Sequence, residues 1–402
     1  MRVPQTLQHY QTISPASKHR TISYQRFAMS SSNSAGSPQQ QHPPSQFVTD
    51  DDGLRWRLCA GAAVLNSRNE LLIGERIGKP GSWQTPQGGV DGGRNGNEEE
   101  SVSDAAIREL YEEVGLEHGK HVLLERQMTL DGKTTTAATL PIKCRYKTEG
   151  TGSWLEKVGF AGQELNWVIF RCADSDLERN PSLACNLSGL NGEKPEFSAV
   201  RWEKLDWVVD NVWEKKARPY RVLKEACVPI MKRWEDRCGE LDLGGRWSRD
   251  STRCNGVVEG LVARGLTQEN ASEKAVEPYI QSWKRHNTKA EWIVTTYDAD
   301  GIKPRRELHY PIGKFVETFE GTATLFGDAG VIYRCCFYLA EKEADGEIAH
   351  VTVSETQKGK EESLRYLKNG DLILRRSFLG SGGADNVVST EVFTRCGCIV
   401  EI

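Results

Sequence analysis

The sequence predicts an α+β protein in which a mixed strand-and-helix unit is followed by an all-β unit carrying one helical section. Three observations predict this. At 402 residues the chain exceeds what one hydrophobic core usually organises. Up to about residue 237, apolar β-rich runs alternate with helix-period segments. After Cys238 the character changes: Gly244-Gly245 leads into Trp247, one helical section spans about 255–282, and short alternating strands separated by turns then run to the end, which suggests a barrel or sandwich. The expected division is 1–49 as a disordered tail or transit peptide, 50–237 as the first domain and 238–402 as the second.

The elements follow in order. Leu58, Ala60, Ala62, Val64 and Leu65, then the turn Asn66-Ser67-Arg68-Asn69, then Leu71, Leu72 and Ile73 read as a hairpin. Trp83 to Gly93 is punctuated by Pro and Gly. A helix is predicted from about Glu100 to Val114, ended by Gly115. Strands are expected at Val122–Met128, Ile142–Tyr146, Trp167–Cys172 and Ala199–Glu203, and a long helix from Pro219 to Glu235 closes the first unit.

A formal charge of −4 gives no basic excess, and no apolar run reaches the roughly 18 to 20 residues that a membrane helix needs. The 11 cysteines are odd in number and lack zinc-site pairing, which points to a reduced, intracellular protein. Residues 1–49 contain no Asp or Glu, carry Arg2, Lys18, Arg20 and Arg26, and are rich in Ser, Gln and Pro. That composition fits import into a mitochondrion or plastid, and fits equally a disordered tail on a cytoplasmic protein.

The predicted helix carries the chemistry. Ala106, Ile107, Leu110 and Val114 share one face by i, i+3/i+4 spacing, leaving Glu109, Glu112 and Glu113 together on another. Three converging carboxylates repel one another unless a cation sits among them, and a hard, oxygen-seeking Mg²⁺ or Mn²⁺ that arrives with substrate phosphates is the natural occupant. A solvated acidic helix face is the bland alternative.

The wider pattern resembles the Nudix box, G-x5-E-x7-R-E-U-x-E-E-x-G-U. Glu100, seven residues, then Arg108-Glu109-Leu110-Tyr111-Glu112-Glu113-Val114-Gly115-Leu116 complete its second part. The resemblance implies an α/β/α sandwich that cleaves phosphoanhydride bonds, with Glu109, Glu112 and Glu113 as metal ligands and Glu100 and Arg108 as a structural pair. One departure is that Gly88 stands twelve residues before Glu100, where the pattern has six. The loop 92–99 is thus longer by about six residues, at under roughly 1 kcal/mol in closure entropy, and Glu98 or Glu99 could replace Glu100 in the arginine pair.

Flanking segments resemble the bacterial RNA pyrophosphohydrolases and the plant-type asymmetrical diadenosine tetraphosphate hydrolases. Trp83-Gln84-Thr85-Pro86-Gln87-Gly88-Gly89 matches their W-Q-x-P-Q-G-G, which implies that Gln84, Gln87, Gly88 and Gly89 border the substrate. Lys194-Pro195-Glu196-Phe197 matches P-E-F and makes Glu196 a fourth candidate for the metal. Arg145-Tyr146-Lys147 matches R-Y-K, so Tyr146 either stacks on a base or is an interior strand residue. Lys215 or Lys216 is expected to reach phosphate. Asn166 stands where the family has Lys, removing a cation from the expected phosphate neighbourhood. From about Asp242 the chain resembles the fatty-acid-binding-protein-like branch of the calycins, on Gly245-Arg246-Trp247, on His309-Tyr310-Pro311-Ile312-Gly313-Lys314-Phe315 and on Leu367-Lys368-Asn369-Gly370-Asp371. This implies a closed antiparallel barrel with a helical lid and an apolar or amphipathic ligand. Glu391 and Phe393 occupy the positions of the family's Arg-x-Tyr carboxylate clamp, so a carboxylate is expected to meet a like charge there.

Two functions are therefore expected to compete. One is a metal-dependent pyrophosphohydrolase acting on a nucleotide polyphosphate, either a dinucleoside polyphosphate or the 5′-triphosphorylated end of an RNA. The other is a lipid- or small-ligand-binding, regulatory protein whose Nudix unit is slow.

Overall fold

The computed structural model describes residues 45–92, 99–125, 127–128, 134–135, 139–150, 152–318, 331–341, 347–382 and 386–396. The tail as far as residue 44, and Glu98 with the middle of the long loop, lie outside these residues.

In the first unit a mixed sheet is built from β1 (Phe47–Thr49), β2 (Arg55–Leu65), β3 (Leu71–Arg76), β4 (Trp83–Gln84) and β5 (Gln87–Gly89). After α1 (Val102–Val114) come β6 (Val122–Leu124), a small hairpin of β7 (Gln127–Met128) and β8 (Thr134–Thr135), β9 (Thr139–Lys147), α2 (Trp154–Lys157), β10 (Gly162–Cys172), α3 (Ser175–Arg179), α4 (Pro181–Ala184), β11 (Phe197–Glu203), α5 (Leu205–Asn211) and α6 (Glu214–Glu240). The spatial order is β11-β3-β2-β10-β6, with β2 and β10 parallel from Trp56↔Gly162 to Leu65↔Arg171. Strand periodicity sorts the β2 side chains to two faces. Ala60, Ala62 and Val64 pack with Ala105, Ala106, Leu110 and Val114 of α1, whereas Cys59, Ala63 and Leu65 pack with Tyr220, Leu223, Cys227 and Ile230 of α6. Helix, sheet and helix thus form the three layers of an α/β/α sandwich.

Two boundaries differ from those expected. Ser45 to Thr49 belong to the fold rather than to a tail: Phe47, Val48 and Thr49 pair with Arg57, Trp56 and Arg55, and the Gln46 amide donates to Asp91 O and Glu100 O. Helix α6 begins at Glu214, so Pro219 lies inside it and not at its start.

The second unit is a ten-stranded antiparallel meander. Its strands are β12 (Gly245–Arg249), β13 (Ile280–Arg285), β14 (Glu291–Tyr297), β15 (Pro304–Pro311), β16 (Gly313–Thr318), β17 (Val331–Glu341), β18 (Glu347–Thr356), β19 (Gly359–Lys368), β20 (Asp371–Gly380) and β21 (Val387–Arg395). The last strand pairs with the first, Arg249↔Phe393, and the order runs from β15 round to β16, leaving the barrel nearly closed with its opening between those two strands. Between β12 and β13 lie α7 (Val257–Ala263) and α8 (Gln268–Val276), packed through Val257, Leu261 and Ala271. They replace the single helical section expected over 255–282. Gly265, at φ +106°, breaks the first helix and Thr267 caps the second by accepting from Asn270 N.

The barrel's interior corrects the like-charge argument at Glu391. Its buried carboxylate lies 3.1 Å from Arg249 and 3.3 Å from Arg376, whose side chains are 7% and 15% exposed. Burial pushes its pKa up, but the two arginines outweigh that and hold it below the usual 4.5. An anion entering here meets a neutralised carboxylate. Glu391→Gln leaves two largely covered guanidinium groups without their carboxylate and is expected to cost about 3 kcal/mol of stability, read as a fall in the thermal midpoint at neutral pH. Because the native pKa is depressed, the contribution is complete above the unfolded value and disappears as the pH falls through the native one, so wild type and variant converge in acid.

Candidate active site

Helix α1 is defined by its ends. Ser101 caps it by accepting from Asp104 N, and Gly115, at φ +71°, ends it. Its three glutamates are not a solvated face. Glu109, Glu112 and Glu113 are 9 %, 8 % and 5 % exposed.

Arg108 organises them. Its Nε and Nη2 donate to the two oxygens of Glu100, at 2.8 and 3.1 Å, and Nη2 also donates to Gly89 O at 2.7 Å. Its Nη1 donates to Glu109 Oε1 at 2.7 Å and to Glu112 Oε2 at 2.9 Å. Among the described residues the pairing partner is therefore Glu100, which also accepts from Asp91 N and so closes the long loop onto the strand end. The loop reaches the family's pairing despite its length because Asp91 and Glu100 are bridged directly, Glu100 N also donating to Asp91 O.

The two glycines beside the helix permit close approach. A Cβ on Gly88 would sit 2.0 Å from Glu109 Oε1, and one on Gly89 would sit 1.9 Å from the Arg57 guanidinium. Gln87 N donates to Glu113 Oε2 at 3.1 Å. The buried ammonium of Lys216 donates to Gln84 Oε1 at 2.8 Å, and burial, then Arg76, pull its pKa down to about 8. Burial pushes Glu109 up to about 7 against the pull of Arg108, and pushes Glu113 well above the usual range, with Glu196 and Glu109 adding to the rise. Glu196 stands at the rim, its side chain 44 % exposed and 3.9 Å from Arg76.

Other expected contacts fall elsewhere. Tyr146 is 7 % exposed and packs in the α6-side core with its hydroxyl on Gln163 and the Lys216 ammonium over its ring, an interior-strand placement. Lys215 makes its hydrogen bond outside the glutamate cluster. It donates to Glu149 O and lines a cavity of about 410 Å³ with Arg145, Tyr146, Lys147 and Arg218. Asn166 is buried in the sheet, donating to Cys59 O and Glu164 O.

One partner carried no sequence signal. Asn191, on the loop between α4 and β11, donates from Nδ2 to Glu112 Oε1 at 3.3 Å.

The donor chemistry fits a hard divalent cation, since three clustered carboxylates supply only oxygen ligands and a cation among them relieves their mutual repulsion. Among the described residues no three His, Cys, Asp or Glu side chains are already gathered around one point. Arg108 takes an oxygen each from Glu109 and Glu112.

Comparison with known proteins agrees with this geometry. Residues 55–225 match the NUDIX domain model. The chain is 31% identical over 159 residues to an RNA pyrophosphohydrolase of Rhodospirillum rubrum, covering 39% of this chain and 78% of that one. It is 29% identical over 171 residues to "Nudix hydrolase 26, chloroplastic" of Arabidopsis thaliana, covering 42% and 68%. The chain belongs to the Nudix hydrolase family. Solved structures similar to it include a REP1-NXSQ fatty acid transporter, at 18% identity and TM-score 0.29 over 39% of this chain and 98% of that one, and the fluorescent protein UnaG, at 14% and 0.29 over 38% and 97%.

Proposed function

We propose that the first unit, from Ser45 to the end of α6, is a metal-dependent pyrophosphohydrolase that cleaves a phosphoanhydride bond in a nucleotide polyphosphate, either a dinucleoside polyphosphate or a 5′-triphosphorylated RNA end. The observation that carries this is the burial of Glu109, Glu112 and Glu113 around Arg108 and against Gly88. A divalent cation, Mg²⁺ or Mn²⁺, would be held by those three carboxylates with Glu196 at the rim, and would neutralise phosphate charge and acidify a bound water. Arg108 holds the loop through Glu100 and Gly89 O, keeping Gly88 against Glu109. Gln87 N orients Glu113, and Gln84 fixes the Lys216 ammonium, whose position beside Glu113 and Glu196 supports a role in binding phosphate. A hydrolysis panel on purified protein, with diadenosine tetraphosphate, nucleoside diphosphate sugars, coenzyme A and 5′-triphosphorylated RNA, tests the reading. Turnover of the first or the last is expected, and none of any would overturn it.

For the domain spanning 238–402 the favoured occupant is amphipathic. Trp283, Trp292 and Tyr310 are buried together with Arg365, whose guanidinium lies 5.3 Å from the Trp283 and Tyr310 rings. Titration of the full chain with a long-chain fatty acid and with a neutral apolar probe is expected to show binding of the fatty acid. Binding of neither would make the barrel a packing module, in contact with the first unit through the ion pairs from Arg179 to Glu355 and from Asp176 to Lys360.

Among the described residues no helix is long and apolar enough to cross a membrane. Residues 1–44, acid-free, are proposed to direct import into a mitochondrion or plastid. A reporter fused behind them is expected to enter the organelle, and a cytosolic reporter would refute this.

A further inference from the structure

The loop between α4 and β11 is a strap across the C-terminal half of α1. A helix leaves its last carbonyls without partners inside the helix. Here Asn186 N donates to Val114 O at 2.9 Å and Leu190 N donates to Glu112 O at 3.0 Å, so the strap caps α1 with its own backbone. Between Gly189 and Gly192, both at positive φ, Asn191 adopts the left-handed conformation at φ +54°, which aims its side chain back at the helix. Its amide Nδ2 then meets Glu112 Oε1, while Arg108 Nη1 meets the other oxygen.

We propose that Asn191 is a positioning residue for Glu112, fixing its carboxylate for the divalent cation; this rests on the metal site proposed above. The two donors on Glu112 differ in kind. Arg108 is a full positive charge, so a divalent cation among the glutamates opposes its contacts with Glu109 and Glu112. Asn191 is neutral and its contact is unopposed. It also occupies a single lone-pair position of one oxygen, leaving the carboxylate with acceptor capacity for a metal. In the loaded site Asn191 is therefore the donor that keeps Glu112 in place, as outer-shell partners of metal-binding carboxylates do elsewhere.

Asn191→Gly tests this, because glycine keeps the left-handed backbone while deleting the amide. In the full chain the Mn²⁺ dissociation constant, measured by titration calorimetry without substrate, is expected to rise about tenfold. kcat at saturating Mn²⁺ is expected to fall by about the same factor, with the thermal midpoint of the metal-free protein nearly unchanged. Asn191→Asp, of equal size and similarly tolerant of that backbone, places a like charge against Oε1 and is expected to lower kcat at least as far. Wild-type Mn²⁺ affinity and kcat in both folded variants would overturn the proposal, as would a lowered thermal midpoint with an unchanged dissociation constant. If the wild-type protein itself binds no Mn²⁺, or Glu112→Gln binds it normally, the metal-site reading falls and this inference falls with it.

Discussion

Replacing Glu113 or Glu112 by Gln is expected to lower turnover at least about a hundredfold, since it removes a charged oxygen ligand from the place where transition-state charge is neutralised. Stability is expected to move the other way for Glu113. Its carboxylate is 5 % exposed, and burial together with Glu196 and Glu109 pushes its pKa well above the usual range, so in metal-free protein its ionised form is unfavourable. A glutamine of the same size carries no such charge and can still accept from Gln87 N through its carbonyl oxygen. The metal-free Glu113→Gln protein should therefore melt at or above the wild-type temperature while being nearly inactive. Active Gln variants that melt normally would remove these residues from the site, whereas variants that unfold would make their role structural.

Gly88→Ala is expected to cost about a hundredfold in rate with the fold retained, the loss that a displacement of roughly 1 Å can cause in an aligned site. The new methyl group would fall 2.0 Å from Glu109 Oε1 and 2.1 Å from its carboxyl carbon. Those atoms end a flexible side chain, so Glu109 swings away and the sheet does not move. Gly89→Ala is the control. There the methyl group meets the Arg57 guanidinium at 1.9 Å and not a carboxylate, so a smaller effect on rate is expected. Steady-state rates with circular dichroism on both variants check the contrast, and equal losses would show that the strand, and not the Glu109 contact, is what the glycines protect.

The box on α1 was legible because its chemistry is local: an arginine, three glutamates and a terminal glycine at fixed helical spacing specify which side chains share a face. The long loop obscured less than its length implies, since Glu100 still reaches Arg108 and Asp91. What the sequence left open depends on contacts between distant segments. Lys215 and Lys216 are neighbours in the chain, yet only Lys216 points to Gln84 and the carboxylates, and the turn of α6 decides that. Tyr146 sits in a strand whose inward register is set by its pairing with β10, Tyr146↔Gln163. Glu391 read as a repulsive charge because Arg249 and Arg376, which neutralise it, come from the barrel's first and ninth strands. Asn191 was invisible for a related reason. An Asn-Gly pair signals a turn, and only the packing of that turn on α1 turns its amide toward Glu112.

Metal dependence at the three glutamates is measured most directly by the initial rate of diadenosine tetraphosphate and 5′-triphosphorylated RNA hydrolysis as Mg²⁺ is titrated into chelator-treated wild-type protein. If Glu109, Glu112 and Glu113 hold the ion, at least one substrate is cleaved with a rate that rises from background to saturation with Mg²⁺, and Glu113→Gln stays near background throughout. Hydrolysis that is undiminished in chelator, or a wild-type rate in Glu113→Gln, would contradict it.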